Sequence, residues 1–366
     1  MRITVGTDCS GIEAPLQALN QMGIPYEHVF SSEIDKRVRA HIETFHSPSI
    51  LYEDITERDV DLVPHVDLYV VGFPCQPYSS MNGRKSPDDV RKSPLWCAME
   101  YIERRRPNMF VLENVIRFAS TPEHAELTHR LLLLEGYVVG ESCLTPSDFG
   151  TPQSRNRLFI VGVRGEELRW PFPKPLSTSC VDILDETVRF TDSLRLPSSM
   201  RRTMATWKAE EERGLIDINC AGLKHPCGKA RRPLNDKQKR EVIRTTVSMC
   251  LVAKAPGPYA VHLKRLLTVS EMLQLQGWAK EYSLSFPTYS RNLSMKMVGN
   301  SMCCTVLQAL FEANLATVAG DKVGIRRDES LSHPVRSSCF ARGKPRRPLI
   351  DGCSLVPTVR GTAAGA

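Results

Sequence analysis

A chain of 366 residues, 42% of them hydrophobic, has enough apolar mass for one large domain or for a large and a small one, which excludes a wholly disordered protein. No run approaches eighteen uninterrupted apolar residues, and MRITVGTD enters a strand-like pattern without a basic-then-apolar leader. The expectation is an intracellular protein with no membrane span, cytoplasmic or, in a eukaryotic source, nuclear. The net charge of +7 is concentrated, with twelve Lys/Arg against six Asp/Glu in residues 201–245 and nine against four in 321–366. Such clustering suits phosphate contact, although a solvated basic face gives the same counts.

From Arg2 to about Val163, short β-branched runs alternate with amphipathic stretches: ITVGT, EAPLQALNQM, HVFSSE, DLYVVG, NMFVLENV, YVVGESCL and RLFIVGV. Apolar runs of four to seven residues bounded by turn signals read as buried strands. With helices between them they predict an α/β fold, a doubly wound, mixed but mostly parallel sheet. The pattern breaks at Trp170-Pro171-Phe172-Pro173, and the next hundred residues are polar, basic and irregular. Regularity returns at LLTVSEMLQLQGW, where Thr268 or Ser270 is placed to cap a helix, and at SMCCTVLQALFEANLATV. The expected division is a large α/β domain at 1–168, a smaller irregular domain at 169–262, a return segment at 263–318 that packs on the first domain, and a basic, mostly disordered tail at 319–366.

Twelve cysteines scattered over a long chain favour reduced thiols over a disulfide scaffold. Cys220, His225 and Cys227 come nearest to a zinc pattern, but their spacing matches no common finger, so no metal is expected.

Four segments carry chemistry. VGTDCSGIEAP is a strand, a glycine turn and a helix start, the arrangement that lets backbone approach a cofactor at the carboxyl end of a strand. Glu33 ends the next strand, as a ribose-binding acid does, and Asp54 precedes a further stretch; standing alone, either would be read first as a surface acid. In VGFPCQPYS, Cys75 lies just past an apolar strand in a loop stiffened by Pro74 and Pro77, which a core strand would not tolerate. FVLENV ends a buried strand on Glu113, which should project at the same sheet edge as Cys75. In FGTPQSRNRLFIVGV, period-two spacing points Arg155 and Arg157 to one side.

Taken together, PCQ, ENV and QSRNR in this order, preceded by the cofactor turn and followed by LQGW and VGNS, resemble the cytosine-5 DNA methyltransferase family over roughly residues 1–165 and 265–315. The resemblance implies a class I, Rossmann-like fold dependent on S-adenosylmethionine, with residues 169–262 as a target-recognition domain, and an enzyme that works as a monomer on double-stranded DNA. It implies that Cys75 adds to carbon 6 of a flipped-out cytosine, that Glu113 bonds the exocyclic amine and ring nitrogen 3, and that Arg157 and Arg155 hold the carbonyl oxygen and the catalytic loop. For the cofactor it implies Cys9, Ser10, Gly11 and Ile12 around the methionine moiety, Glu33 on the ribose, Asp54 and Ile55 at the adenine, and Pro74 and Asn300 closing the site. The family usually has an aromatic residue where Cys9 stands and glycines where Glu13 and Ala14 stand. The alternatives are a tRNA cytosine-5 methyltransferase, whose branch typically shows a Cys-Phe-Thr signature absent here, a catalytically inactive DNA-binding relative, and an unrelated thiol hydrolase, for which no histidine occupies a comparable loop.

Overall fold

The protein is described from a computed structural model over residues 2–78, 90–165, 167–198, 201, 213–217, 243–254, 256–319 and 329–335. Five strands, β1 (Ile3–Asp8), β2 (Tyr26–Ser32), β3 (Ile50–Tyr52), β4 (Leu68–Val71) and β5 (Met109–Val115), pair in parallel, joined through α1 (Ala14–Gln21), α2 (Lys36–Phe45) and α3 (Ser93–Arg105). After α4 (Pro122–Leu132) come β6 (Tyr137–Leu144) and β7 (Arg157–Arg164), which inserts between β5 and β6 and runs antiparallel to both, giving the order β3-β2-β1-β4-β5-β7-β6. This is the mixed, mostly parallel doubly wound sheet that the apolar runs predict.

The strands are continuous apolar runs because both faces are covered. Leu68, Val70, Met109 and Val111 face one core, shared with Leu16 and Leu19 of α1. Tyr69, Val71, Phe110 and Leu112 face the other, against Leu95, Met99 and Ile102 of α3 and Leu127 and Leu131 of α4. The chain after residue 262 returns as α5 (Val269–Gln274), α6 (Lys280–Leu284), α7 (Arg291–Asn300) and α8 (Cys304–Ala319). In α8, Leu307, Leu310 and Phe311 are fully buried in the α1 core, each contributing about 1.5–3 kcal/mol of apolar transfer. Gln21, at the end of α1, completes the docking: its amide donates to the Gly277 carbonyl at 3.0 Å and its carbonyl accepts from Ala279 N–H at 2.6 Å. Of the two candidate caps for α5, Thr268 takes the role, in a reciprocal capping box with Glu271.

Two strand contacts cross the expected boundaries. Residues 168–171 form β8 (Leu168–Pro171), held to the first body by the Asn314 side chain, which bonds both the N–H and the carbonyl of Arg169 at 2.9 Å. Within the tail expected to be mostly disordered beyond 319, β12 (Ser332–Val335) pairs antiparallel with β8. Arg169 also donates to the Ser332 hydroxyl (2.9 Å) and carbonyl (3.1 Å), a long-range partner that local composition does not reveal. In the middle segment, β9 (Leu215–Asp217), β10 (Pro258–Ala260) and β11 (Arg265–Leu266) make a small antiparallel sheet. Cys220, His225 and Cys227 lie outside the described residues, and among those described no cluster has metal-binding geometry.

Candidate active site

Parallel strands end on a common rim, and β1, β2, β4 and β5 bring Asp8, Ser32, Val71 and Val115 there. Cys75 follows β4 by four residues in a turn closed by Tyr78 N–H to the Cys75 carbonyl at 3.0 Å. An aromatic cluster of Phe73, Tyr78 and Phe118 buttresses this turn, with ring centroids 4.8–6.2 Å apart. From the neighbouring strand, Asn114 donates to the Phe73 carbonyl at 3.0 Å, so ENV secures the cysteine loop as well as supplying Glu113.

Because β7 is antiparallel to β5, its beginning lies at this rim. Arg157 pairs with Val115 and is thereby a diagonal neighbour of Glu113 on the same face. Arg157 Nε stands 3.1 Å from Glu113 Oε1 as an ion pair off the hydrogen-bond line, which leaves that oxygen its acceptor capacity. Glu113 is only 8% exposed. Burial pushes the half-buried Cys75 thiol up, and Glu113 pushes it further, while Arg157 and then Arg155 pull it down. Burial works against the Arg157 charge, yet Glu113 leaves its pKa raised overall. Cys75, Glu113 and Arg157 therefore act on one another electrostatically.

Arg155 has a different position from the one its spacing suggests. Its guanidinium is buried and donates to the carbonyls of Leu251 (2.9 Å), Gly299 (3.0 Å) and Ser301 (2.9 Å). Burying a guanidinium costs least when its donors are met, and here three backbone carbonyls take the terminal N–H groups while Nε is left without a partner. Expected to hold the cytosine carbonyl oxygen and the catalytic loop, Arg155 here clamps the exit of the middle segment to the end of α7. Arg155 and Arg157 do converge on one atom, Cys250 Sγ, at 3.5 and 3.6 Å. Cys250 carried no signal in the sequence, and Gly299 stood there only as part of the VGNS block, with no role of its own. A Cβ on Gly299 would lie 2.3 Å from Ala253 N, a close approach that only glycine permits.

The cofactor turn is built from unusual backbone. Cys9, Gly11 and Glu13 all have left-handed φ, at 51°, 60° and 57°. Ser10 N–H donates to the Ser32 carbonyl at 3.1 Å, and Gly11 N–H to Glu33 Oε2 at 3.0 Å, so Glu33 holds the turn directly; Asp35 N–H donates to its other oxygen at 2.9 Å. Burial raises the Glu33 pKa and keeps Cys9 a neutral thiol. Space above Gly11 is open, with nothing within 4 Å of a built Cβ. Asp54 is engaged locally, accepting from Thr56 N–H at 2.9 Å and its hydroxyl at 2.8 Å. Ile12 and Ile55 are core side chains, so only their backbone is available to a ligand. Ile34, passed over in the sequence, follows Glu33 at 74% exposure and offers an apolar surface at the rim. Asn300 is exposed at the end of α7, and Lys296 one turn earlier donates to Asp35 at 2.6 Å, which brings this helix to the same edge.

Beneath the turn, Arg58 forks onto Asp8 at 2.7 and 2.5 Å, with the Phe30, Tyr52 and Tyr101 rings around its guanidinium at 5.3–5.7 Å. Tyr69 and Ser32 also donate to Asp8. This network ties the connection carrying Asp54 to the end of β1. A separate cleft of 580 Å³, lined in part by Asp182, Asp185, Glu271 and Lys280, shares no residue with this rim.

A model of the C-5 cytosine-specific DNA methylases matches residues 8–315, spanning the cofactor turn, the Cys75 loop, the two arginines and the return helices. The chain belongs to this family. Relatives of this methylase include the type II methyltransferase M.NlaX of Neisseria lactamica, 27% identical across 81% of the chain and 91% of the relative, and M.NgoBI of Neisseria gonorrhoeae, 29% identical across 77% and 84%. These relatives are bacterial, so the nuclear alternative finds no support in them. Among solved structures, a Spodoptera frugiperda DNMT2 superposes with a TM-score of 0.62 at 18% identity, covering 85% of this chain and 99% of that one, and an S. pombe Dnmt2 with 0.59 at 17%, covering 87% and 98%. At such identities they bear on the fold alone, a class I methyltransferase fold. The methylase is thus an enzyme that transfers a methyl group to carbon 5 of cytosine in DNA, as its family does with S-adenosylmethionine. Among the described residues no helix is long and apolar enough to cross a membrane.

Proposed function

We propose that this methylase works through a covalent adduct between Cys75 and carbon 6 of a cytosine turned out of double-stranded DNA, bound by a single copy of the chain. The observation that carries the reading is the meeting of Cys75, Glu113 and Arg157 on one rim, with Arg157 Nε 3.1 Å from Glu113 Oε1. Carbon 5 of cytosine is too poor a nucleophile to be methylated unaided, and addition of a thiolate at carbon 6 makes the ring electron-rich. Glu113, with Oε1 free of hydrogen bonds, engages ring nitrogen 3 and the exocyclic amine and stabilises proton character there. Arg157 balances the Glu113 charge, favours the thiolate and faces the carbonyl oxygen of the base. Once carbon 5 carries the methyl group, loss of its proton to water re-forms the 5,6 double bond and expels the Cys75 thiolate. Because these groups cannot reach carbon 6 in a stacked duplex, the base must leave the helix, at a cost of a few kcal/mol that contacts from the basic segment 201–245 offset.

The turn suits S-adenosylmethionine. Open space above Gly11, the Glu33 carboxylate at the end of β2 and the exposed Ile34 beside it fit a methionine chain, a ribose and an adenine face in turn. Cys9, Ser10, Gly11 and Ile12 would hold the first, Glu33 the second, and Asp54 and Ile55 the third, with Pro74 and Asn300 closing the site. When bound, the cofactor supplies an electrophilic methyl to carbon 5. Residues 169–262 serve as the recognition segment, and Arg155 positions their exit against α7. The test is bisulfite sequencing of DNA from a naive host expressing the wild type or Cys75→Ala. Protected cytosines in one sequence context, lost with the variant, are expected; protection that survives Cys75→Ala overturns the reading.

A further inference from the structure

A second buried carboxyl, unused in the chemistry above, stands at the hinge of the cofactor turn. Glu13 is fully buried in left-handed backbone at φ 57°, a conformation that glycine adopts freely and other residues adopt at a cost of about 1–2 kcal/mol. A strained backbone occupied by a buried acid has to be held by its surroundings. Glu13 Oε1 accepts from the Thr7 hydroxyl at 2.9 Å and from the Ser31 hydroxyl. Thr7 and Ser31 are themselves 2.8 Å apart, and Ser10 bonds Thr7 at 2.9 Å and the Ser32 carbonyl at 3.2 Å. One side chain thus joins β1, the turn and β2.

Glu13 Oε2 is buried with no partner, so although the Thr7 and Ser31 hydroxyls on Oε1 favour the carboxylate, a negative charge would have one bare oxygen away from water, and burial outweighs them. The titratable groups facing it offer no cation. His28 on β2 lies 3.7 Å from Oε1, but burial lowers its pKa to about 4, and it engages Ser31 at 3.1 Å instead. Tyr26 on β2 and Glu33 beyond its end also act on it, Glu33 disfavouring ionisation; from α8, the Cys304 thiol bonds the adjacent Ala14 carbonyl at 3.7 Å. We propose that Glu13, held as the neutral acid, is a positioning residue that latches the cofactor turn to β1 and β2, and that its ionisation releases the latch and weakens cofactor binding. Burial raises its pKa to about 8, within reach of ordinary buffers. The inference rests on the cofactor reading above.

Two measurements on the full chain test it, each with wild type, Glu13→Gln and Glu13→Ala. The first is calorimetric binding of S-adenosylhomocysteine from pH 6.5 to 9.5. Wild-type Kd should rise about tenfold per pH unit above pH 8, as one linked proton requires. Glu13→Gln should match the wild type at pH 7 and stay flat apart from any dependence that the ligand's own amine imposes on all three proteins. Glu13→Ala should bind weakly throughout. The second is urea unfolding without ligand. A folded pKa above the usual carboxylate value gives stability that is lost as pH rises toward 8, so the wild-type midpoint should fall relative to Glu13→Gln between pH 5.5 and 8. Parallel unfolding midpoints for wild type and Glu13→Gln overturn the neutral latch whatever binds. Unequal midpoints with parallel binding curves overturn the link to the cofactor. Unequal midpoints with no binding by any protein overturn the cofactor reading and the positioning role with it.

Discussion

Arg155 and Arg157 stand two residues apart, and removing each should damage the protein in opposite ways. Arg155→Ala deprives the Leu251, Gly299 and Ser301 carbonyls of their shared donor inside the molecule. At the lower end of the cost for a buried polar group left unpaired, about 1 kcal/mol each, the loss is about 3 kcal/mol, because water entering the vacated space relieves part of the penalty. That is a large share of a total stability of about 5–15 kcal/mol and, for a chain of 366 residues, corresponds to a Tm lower by about 4 °C. Arg157→Ala removes a cation that lies 3.1 Å from Glu113 and favours the Cys75 thiolate. Its unfolding should move less than that of Arg155→Ala, because one ion pair and not three carbonyl bonds is lost, while methyl transfer should fall by about a hundredfold or more. Urea unfolding followed by tryptophan fluorescence, paired with labelled-methyl transfer corrected for the folded fraction, separates the two. Should Arg155→Ala unfold with the wild type yet lose turnover as Arg157→Ala does, the clamp assignment is wrong and Arg155 acts on the substrate.

Three further outcomes follow from the same geometry. Gly299→Ala puts a Cβ 2.3 Å from Ala253 N and 2.4 Å from Val252 C, all rigid backbone, so it should destabilise by about 1–3 kcal/mol and weaken cofactor binding through Arg155; a wild-type urea midpoint would refute the contact. Glu113 raises the Cys75 pKa and Arg157 lowers it, so at pH 7.5 iodoacetamide should alkylate Cys75 faster in Glu113→Gln and more slowly in Arg157→Ala, read by peptide mass spectrometry. Burial lowers His28 and His41 to about 4 and His46 to about 3, so each stays neutral in the fold. Their stabilisation is complete above the usual histidine value and is lost as pH falls below about 6.5 toward 4, at up to about 1.4 kcal/mol per unit for each histidine. A urea midpoint equal at pH 7 and pH 5 would exclude that.

The sequence by itself determined the class of fold and the order of the chemistry, for reasons local to the chain. Apolar runs of strand length separated by helical stretches leave little choice but a covered, mostly parallel sheet, and a cysteine between two prolines just past such a run cannot be a core strand residue. Partners distant in the chain were another matter. That Arg157 meets Glu113 depends on β7 running antiparallel to β5, which turns the start of one strand toward the end of the other. Period-two spacing put Arg155 beside Arg157, but residues 251, 299 and 301 claimed its guanidinium, and no local pattern announces carbonyls that arrive from a hundred residues away. The same holds for Arg58 on Asp8, for β12 beside β8, and for Glu13, whose sequence signal was only an acid where the family has glycine. Propensity and patterning act over a few residues, whereas the state of a buried charge is set by whichever groups the fold gathers around it, and only the tertiary structure decides that.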